Sequence, residues 1–333
     1  MKQGLRYNLK DKTVLVTGGT GSFGKTFIKH LLEHEAPRKI VVYSRDELKQ
    51  FEMANEINSP LVEYYIGDIR DLNRLTRVIK KGVNVIVHAA ALKQVPTAEF
   101  NPMECIRTNI LGGDNVISAA MDCGVERVVA LSTDKASNPM NLYGATKLCS
   151  DKLFIAANQL SPKGGPQFSV VRYGNVIGSR GSVIPFFRER MSTGKLPITD
   201  PGMTRFWISL DEGVRMVVHS LEIMQGGEIF VPKLPSMKVV DLARAICPEC
   251  ELETIGIRPG ERLYEVMVPM DEAANTFEFK NYYIIQPAFH WHNQDRGNVY
   301  DGEQGTPVAG NYEYRSDTNP DWMTTEQLRK VID

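Results

Sequence analysis

The chain is predicted to be an α/β protein: a Rossmann-type doubly wound parallel sheet with a smaller mixed α/β carboxyl-terminal lobe. Three observations carry this. In the first half, short apolar runs alternate with amphipathic stretches, the pattern of strands covered by helices. The first run passes at once into a glycine-rich turn, Gly18-Gly-Thr-Gly-Ser-Phe-Gly24, that opens a helix. After Asn175 the texture changes, and Gly178, Gly181, Pro185, Pro197, Pro201 and Gly202 break the chain into short elements.

Thr13 to Thr17 reads as the first buried strand and Lys25 to Glu35 as the helix after it. The next strands are expected at Lys39–Tyr43, Val62–Ile66, Val83–His88, Arg127–Leu131 and Gln167–Arg172, with Leu142–Asn158 helical between the last two. Beyond them, Glu228–Val231, Val239–Ile246 and Arg262–Met267 are expected as small mixed pieces over the sheet's carboxyl edge. The polar stretch Asp295–Tyr314 is expected as a surface excursion before a final helix from Thr325. The chain divides into residues 8–175, a dinucleotide-binding domain, and 176–333, a substrate lobe interleaved with the first and not folding alone.

At 333 residues the chain suits one large domain or two. Its 42% hydrophobic and 24% charged residues are those of an ordinary soluble globular protein. A net charge of −1 supplies no basic field for nucleic acid or an anionic membrane. No apolar run approaches bilayer length, and Met1 to Arg6 lacks the apolar core of a signal peptide. A cytoplasmic location without membrane insertion is therefore expected. Five scattered cysteines do not make a disulfide framework. Cys247-Pro-Glu-Cys250 has the spacing of a metal or redox pair, but only His290 and His292 are near enough to complete a site. Two thiols closing a helix is the preferred reading, and no metal is assigned.

Gly18, Gly21 and Gly24 stand three apart. Such glycines permit a tight turn, let backbone approach a pyrophosphate and let helix pack close on strand. Thr20, Ser22 and Phe23 share that turn and are expected to touch the cofactor. The second strand ends Tyr43-Ser44-Arg45-Asp46. An acid at this place holds the ribose 2′-hydroxyl of NAD, whereas Arg accommodates a 2′-phosphate. Ser44 and Arg45, with Lys49 close behind, favour NADP+; Asp46, one place late, argues for NAD. Asp68 and Ile69 are placed to meet the adenine, Ala89 and Ala90 to let backbone pass the cofactor, and Leu131 to line the same edge.

Tyr143 and Lys147, four apart, share one helix face. An ammonium there lowers the phenol pKa, giving a base for an alcohol proton, with Thr133 bonding to the same hydroxyl. Asp134 and Lys135 add an acid and a base at the mouth of the site. A plain alcohol dehydrogenase needs neither; an enzyme that takes a proton from carbon and expels a hydroxyl needs both. As a base, Lys135 must be neutral, with a pKa well below the roughly 10.4 of a free lysine. Burial beside Lys147 would lower it and an ionised Asp134 would raise it, so Asp134 is expected to be protonated when it acts. A surface Asp-Lys pair is the bland alternative.

These segments together resemble the extended short-chain dehydrogenase/reductase family. With His88-Ala-Ala-Ala-Leu-Lys93, Arg172-Tyr-Gly-Asn175, Thr204-Arg-Phe-Trp207 and Gly256-Ile-Arg-Pro-Gly-Glu261, the chain is similar over nearly its whole length to the soluble inverting UDP-N-acetylglucosamine 4,6-dehydratases of pseudaminic acid pathways. It departs from dTDP-glucose 4,6-dehydratases, which carry Thr-Asp-Glu for Thr133-Asp134-Lys135, and from retaining membrane-anchored relatives, which carry Met for Tyr143. The resemblance implies a tightly held, recycled NADP+ and UDP-N-acetylglucosamine as substrate. Tyr143 would take the 4-hydroxyl proton, Lys135 the carbon-5 proton, and Asp134 would protonate the leaving 6-hydroxyl. Lys93, Asn175, Arg180, Arg205, Arg258 and Glu261 would bind substrate. A homo-oligomer, dimer or hexamer, is implied too, paired through helices that include the one carrying Tyr143. A 4-epimerase, a retaining dehydratase and a catalytically silent NADP-binding regulator are the rival readings.

Overall fold

The computed structural model describes residues 7–178, 183–289 and 297–332. At its centre lie β1 (Thr13–Thr17), β2 (Lys39–Ser44), β3 (Val62–Ile66), β4 (Val85–His88), β5 (Arg127–Thr133) and β6 (Gln167–Tyr173). They run parallel in the order 3-2-1-4-5-6. β1 and β4 are buried along their whole length, as strands covered on both faces must be. The order reverses between β1 and β4, so a crevice opens at their carboxyl ends, where such sheets bind ligands.

The helices follow the amphipathic stretches: α1 (Ser22–His30), α2 (Glu47–Ile57), α3 (Leu72–Ile79), α4 (Gly112–Asp122), α5 (Leu142–Leu160) and α6 (Leu210–Ile223). α1 packs on α6, while α3, α4 and α5 pack in a row. The expected continuation of α1 to Glu35 is a wider π turn, Leu31–Glu35, that ends where Ala36 turns left-handed at φ 45°. β4 starts two residues later than expected, and β5 runs two residues further, to Thr133, which delivers the next residues to the crevice.

The second half departs from expectation. β7 (Thr204–Ile208) centres a small sheet between Asn175–Val176 and Ser236–Lys238. Ile229–Pro232 does not lie over the sheet's edge: as β8 it pairs in parallel with β6, and all its residues are buried. β9 (Thr276–Glu278), β10 (Tyr282–Ile285) and β11 (Thr306–Pro307) then extend the same sheet antiparallel to ten strands. Runs such as Ile-Phe-Val and Tyr-Tyr-Ile-Ile are apolar on both faces and require cover on both. The expected surface excursion contributes β11 and buries Tyr300 and Tyr314. Val239–Ile246 is a helix, α7, and the last helix, α8, spans Thr325–Ile332. Of Arg262–Met267 only the end is extended, in the strand Val266–Val268.

The preferred reading of Cys247 and Cys250 as thiols is corrected: the two form a disulfide. α7 ends at Cys247, and the chain folds back so that the Cα atoms stand 5.4 Å apart, within disulfide reach. His290 and His292 lie outside the described residues. Among those described, no helix is long and apolar enough to cross a membrane and no metal-ligand cluster is present.

Arg172, on β6, is fully buried. Its Nη1 donates to Glu272 Oε2 at 2.6 Å and to the Met267 carbonyl at 3.1 Å, while Nη2 lies 3.7 Å from Asp151 Oδ2 on α5. Removing one partner strands a buried charge. Glu272→Ala should therefore destabilise the protein by about 3–5 kcal/mol in urea unfolding. A loss below about 1 kcal/mol would mean that Asp151 alone compensates the guanidinium.

Candidate active site

The crevice is a cleft of ≈ 850 Å³ at the carboxyl ends of β1 to β6. Its floor is made of backbone. Gly18 adopts φ 67°, and a Cβ there would stand 2.9 Å from the Cα of Ala90. A Cβ on Gly24 would fall 2.4 Å from the Gly19 carbonyl oxygen, so helix and turn meet only without side chains. The Gly21 amide donates to the Gly18 carbonyl at 2.9 Å, closing the turn. These contacts leave room for a pyrophosphate to approach the backbone at the start of α1, and the residues present fit a dinucleotide. Thr20, Ser22, Phe23, Ala89 and Leu131 also face this cleft.

At its outer end stand Ser44, Arg45, Lys49, Asp68 and Ile69. Asp46 is not free for a ribose: Oδ1 accepts the Lys49 amide as the N-cap of α2, and Oδ2 lies 2.8 Å from Lys49 Nζ. Arg45 is half exposed, with Nη1 3.7 Å from Asp68 Oδ2. The Ser44 hydroxyl accepts from Gln50.

At the inner end, β5 delivers Thr133 and the short 3₁₀ turn Asp134–Ala136 beside the first turn of α5. Two devices fix that approach. Asn141 caps α5 by accepting the Gly144 amide at 2.8 Å, and its Nδ2 donates to the Gly260 carbonyl at 2.9 Å. Gly144 lets the helix touch the turn, since a Cβ there would lie 2.2 Å from the Lys135 carbonyl oxygen. Tyr143, Lys147 and Thr133 thus reach the cleft together with Lys135, Lys93 and Asn175. Asp134 lies directly beneath, fully buried; its Oδ1 accepts from Thr133 and Lys135, and its Oδ2 has no hydrogen-bond partner among the described residues.

The electrostatics differ from expectation on both bases. Burial pushes the Tyr143 phenol up to about 12; Lys135 and a hydrogen bond from Thr133 pull it back, while Asp134 and Asp151 push it further up. Burial lowers Lys147, and Asp151, one turn further along α5, opposes it. Lys135 was expected to be depressed and is instead raised. Burial lowers it, but the Asp134 and Glu265 carboxylates together outweigh burial and the Arg205 charge. Lys135 Nζ stands 3.1 Å from Asp134 Oδ1, 3.3 Å from Asn175 Oδ1 and 3.5 Å from Glu265 Oε1.

The remaining expected substrate residues do not all converge. Arg205 is buried away from the cleft wall, with Nε 3.4 Å from Glu265 Oε1. Arg258 sits on an exposed loop, 3.9 Å from Glu261. Arg180 lies outside the described residues. Glu265 and Gly144 were missed. An acid inside the apolar run Leu263-Tyr-Glu-Val-Met267 was a signal for the first; for the second, a glycine within a helix was one.

The site and fold are those of a short-chain dehydrogenase/reductase acting on nucleotide sugars. The chain belongs to the polysaccharide biosynthesis protein family, which matches residues 14–287. It is 54% identical to the UDP-N-acetylglucosamine 4,6-dehydratase (inverting) of Campylobacter jejuni over 96% of this chain and 97% of the relative. It is 44% identical to a UDP-glucose 4-epimerase of Rickettsia bellii over 83% of each. Among solved structures, Pen from Bacillus thuringiensis matches with TM-score 0.86 and 35% identity, over 97% of this chain and 98% of that one. The dTDP-glucose 4,6-dehydratase DesIV from Streptomyces venezuelae, with NAD and TYD bound, matches with TM-score 0.68 and 25% identity, over 75% and 86%.

Gly144→Ala should drive α5 off the 134–136 turn, costing about 1–3 kcal/mol of stability and lowering kcat far more than KM. Steady-state kinetics beside urea unfolding checks this, and an unchanged kcat would mean the turn and helix can part without consequence.

Proposed function

We propose that the chain is an inverting UDP-N-acetylglucosamine 4,6-dehydratase that works with bound NADP+ and yields UDP-2-acetamido-2,6-dideoxy-β-L-arabino-hex-4-ulose. The observation that carries the reading is the meeting of Tyr143, Lys147 and Lys135 in one cleft, with Asp134 buried behind it 3.1 Å from Lys135 Nζ. An epimerase has a use for the first pair only. The 54% identity to the inverting dehydratase supports the same choice over the 44% identity to the epimerase.

When bound in the cleft, the nicotinamide would supply reversible hydride acceptance between carbon 4 and carbon 6 of the sugar. The chain supplies proton transfer and position. Tyr143 takes the proton of the 4-hydroxyl, with Thr133 holding the same group. Lys147, which lines the cleft, would bond the cofactor ribose. The 4-ketone acidifies carbon 5, and Lys135 removes that proton as a free amine. In this reading Asp134 gives a proton to the departing 6-hydroxyl. A proton added to the opposite face of carbon 5 produces the inverted sugar. Lys93 and Asn175 line the sugar's place. Arg258 and Glu261, on the 256–262 segment, are assigned to the nucleotide end with Arg180 as a further phosphate ligand; Arg205, turned to Glu265, would act on the substrate only through that carboxylate.

NADP+ is favoured over NAD because Asp46, the one residue that argued for a free 2′-hydroxyl, is spent on capping α2 and on Lys49. Arg45 remains at the cleft's outer end to meet a 2′-phosphate, with Lys49 beside it paired to Asp46. DesIV carries NAD, so the nicotinamide itself is common ground. The division of labour follows residues 8–175 for cofactor and 176–333 for substrate. A cytoplasmic homo-oligomer, dimer or hexamer, at the first step of pseudaminic acid synthesis for flagellin glycosylation completes the reading.

Proton NMR of UDP-N-acetylglucosamine with the purified protein in heavy water, without added coenzyme, tests it. A new 6-methyl signal with deuterium at carbon 5 and L-arabino couplings is expected. An intact 6-hydroxyl with inverted carbon 4 would instead establish the epimerase. Lys135→Met should abolish deuterium entry at carbon 5, and persistent exchange would remove Lys135 from its role.

A further inference from the structure

Lys135 Nζ is surrounded by three oxygens from three segments: Asp134 beside it, Asn175 after β6, and Glu265 from the far side of the second half. Glu265 is buried, with side-chain exposure of 4%, and its backbone is clamped. Its amide donates to Ser316 Oγ at 2.9 Å, its carbonyl accepts the Ser316 amide at 2.9 Å, and Ser316 Oγ pairs with Thr204 Oγ1 at 2.8 Å. The Glu265 carboxylate lies between Lys135 at 3.5 Å and Arg205 at 3.4 Å and does not line the cleft.

We infer that Glu265 is a positioning residue: the counter-ion that holds Lys135 over the reacting carbon and sets the pH at which it becomes a free amine. The inference rests on the reading of Lys135 as the carbon-5 base. The other charged or titratable groups that face Lys135 are Asp134 on its own turn, Lys93 after β4, Tyr143 on α5 and Arg205 on β7. Arg262 faces Glu265 and donates to the Ser137 carbonyl at 3.1 Å. Of these only Asp134 and Glu265 stabilise the ammonium, and Asp134 has a second duty as proton donor. Its charge changes during turnover. Glu265 lies away from the reacting atoms; burial pushes its own carboxyl up, and the Lys135 and Arg205 charges beside it pull it back toward the carboxylate.

The test reads Lys135 directly. The free enzyme is labelled with acetic anhydride across a pH series, and acetylation of Lys135 is followed by mass spectrometry, since only the free amine reacts. In Glu265→Gln the pH midpoint should fall by one unit or more, a tenfold rise in free amine at a fixed pH below it. In Glu265→Asp, whose carboxylate is drawn back by one methylene, it should fall less. The acid limb of carbon-5 deuterium exchange should move in the same direction. A wild-type midpoint in Glu265→Gln, with only the melting temperature lowered, would overturn the inference. If Glu265→Gln does not fold, Glu265→Asp decides: a lowered midpoint supports the inference and a wild-type midpoint overturns it. Absence of methyl formation by the wild type would instead sink the dehydratase reading, while Lys135 labelling would still judge Glu265.

Discussion

The arrangement of the site depends on the buried guanidinium of Arg172. It sits near the end of β6 and reaches both Asp151 on α5 and Glu272 from the second half. An unpaired charge at that depth would cost several kcal/mol, so the helix and the distant carboxylate are both held against the strand. Asp151 also accepts from Ser132 at 2.6 Å, which ties the same helix to the strand that carries Thr133. α5 is thus fixed in its middle by charge and at its start by Asn141 and Gly144. Tyr143 and Lys147 lie between these two anchors.

The cleft contains two lysines with opposite fates. Lys147 is nearly inaccessible and is lowered by burial, with only Asp151 opposing. Lys135 retains partial access to solvent and is raised, because two carboxylates lie within 3.5 Å. Titratable groups pushed apart by their surroundings take different parts in proton chemistry. Lys147 is suited to hold and orient, whereas Lys135 has a proton to lose before it can accept one. His88, beneath the floor, is driven down to about 3 by burial and by the charge of Lys147, and pairs with Thr17 at 2.8 Å as a neutral ring.

The parallel core was legible because each strand is a short apolar run and each helix an amphipathic one. Gly18 to Gly24 announced the turn through spacing that only a close backbone approach explains. Of the last four strands of the sheet, one was misplaced, one fell in the expected surface excursion and two were not read, for a physical reason. Ile229–Pro232 and Tyr282–Ile285 have the composition of core strands, but nothing local says which edge they join; that is decided by the open side of β6, some sixty residues earlier. The same limit governed the site. Thr133 to Lys147 lies in one stretch and could be read as a unit, while Glu265 meets Lys135 across 130 residues of chain. The sign of the Lys135 shift was missed with it, since one carboxylate was counted where two are present.

The pairing of β8 with β6 also bears on how the molecule is made. β1 to β6 leave the ribosome first, and β6, with its apolar interior positions, is then the outer strand of a half-built sheet. Its proper neighbour is not synthesised until residue 232. During that interval the edge is open to any extended chain, including another nascent copy. The site's second half therefore does more than meet substrate: its strands close the surface that would otherwise make the first half sticky.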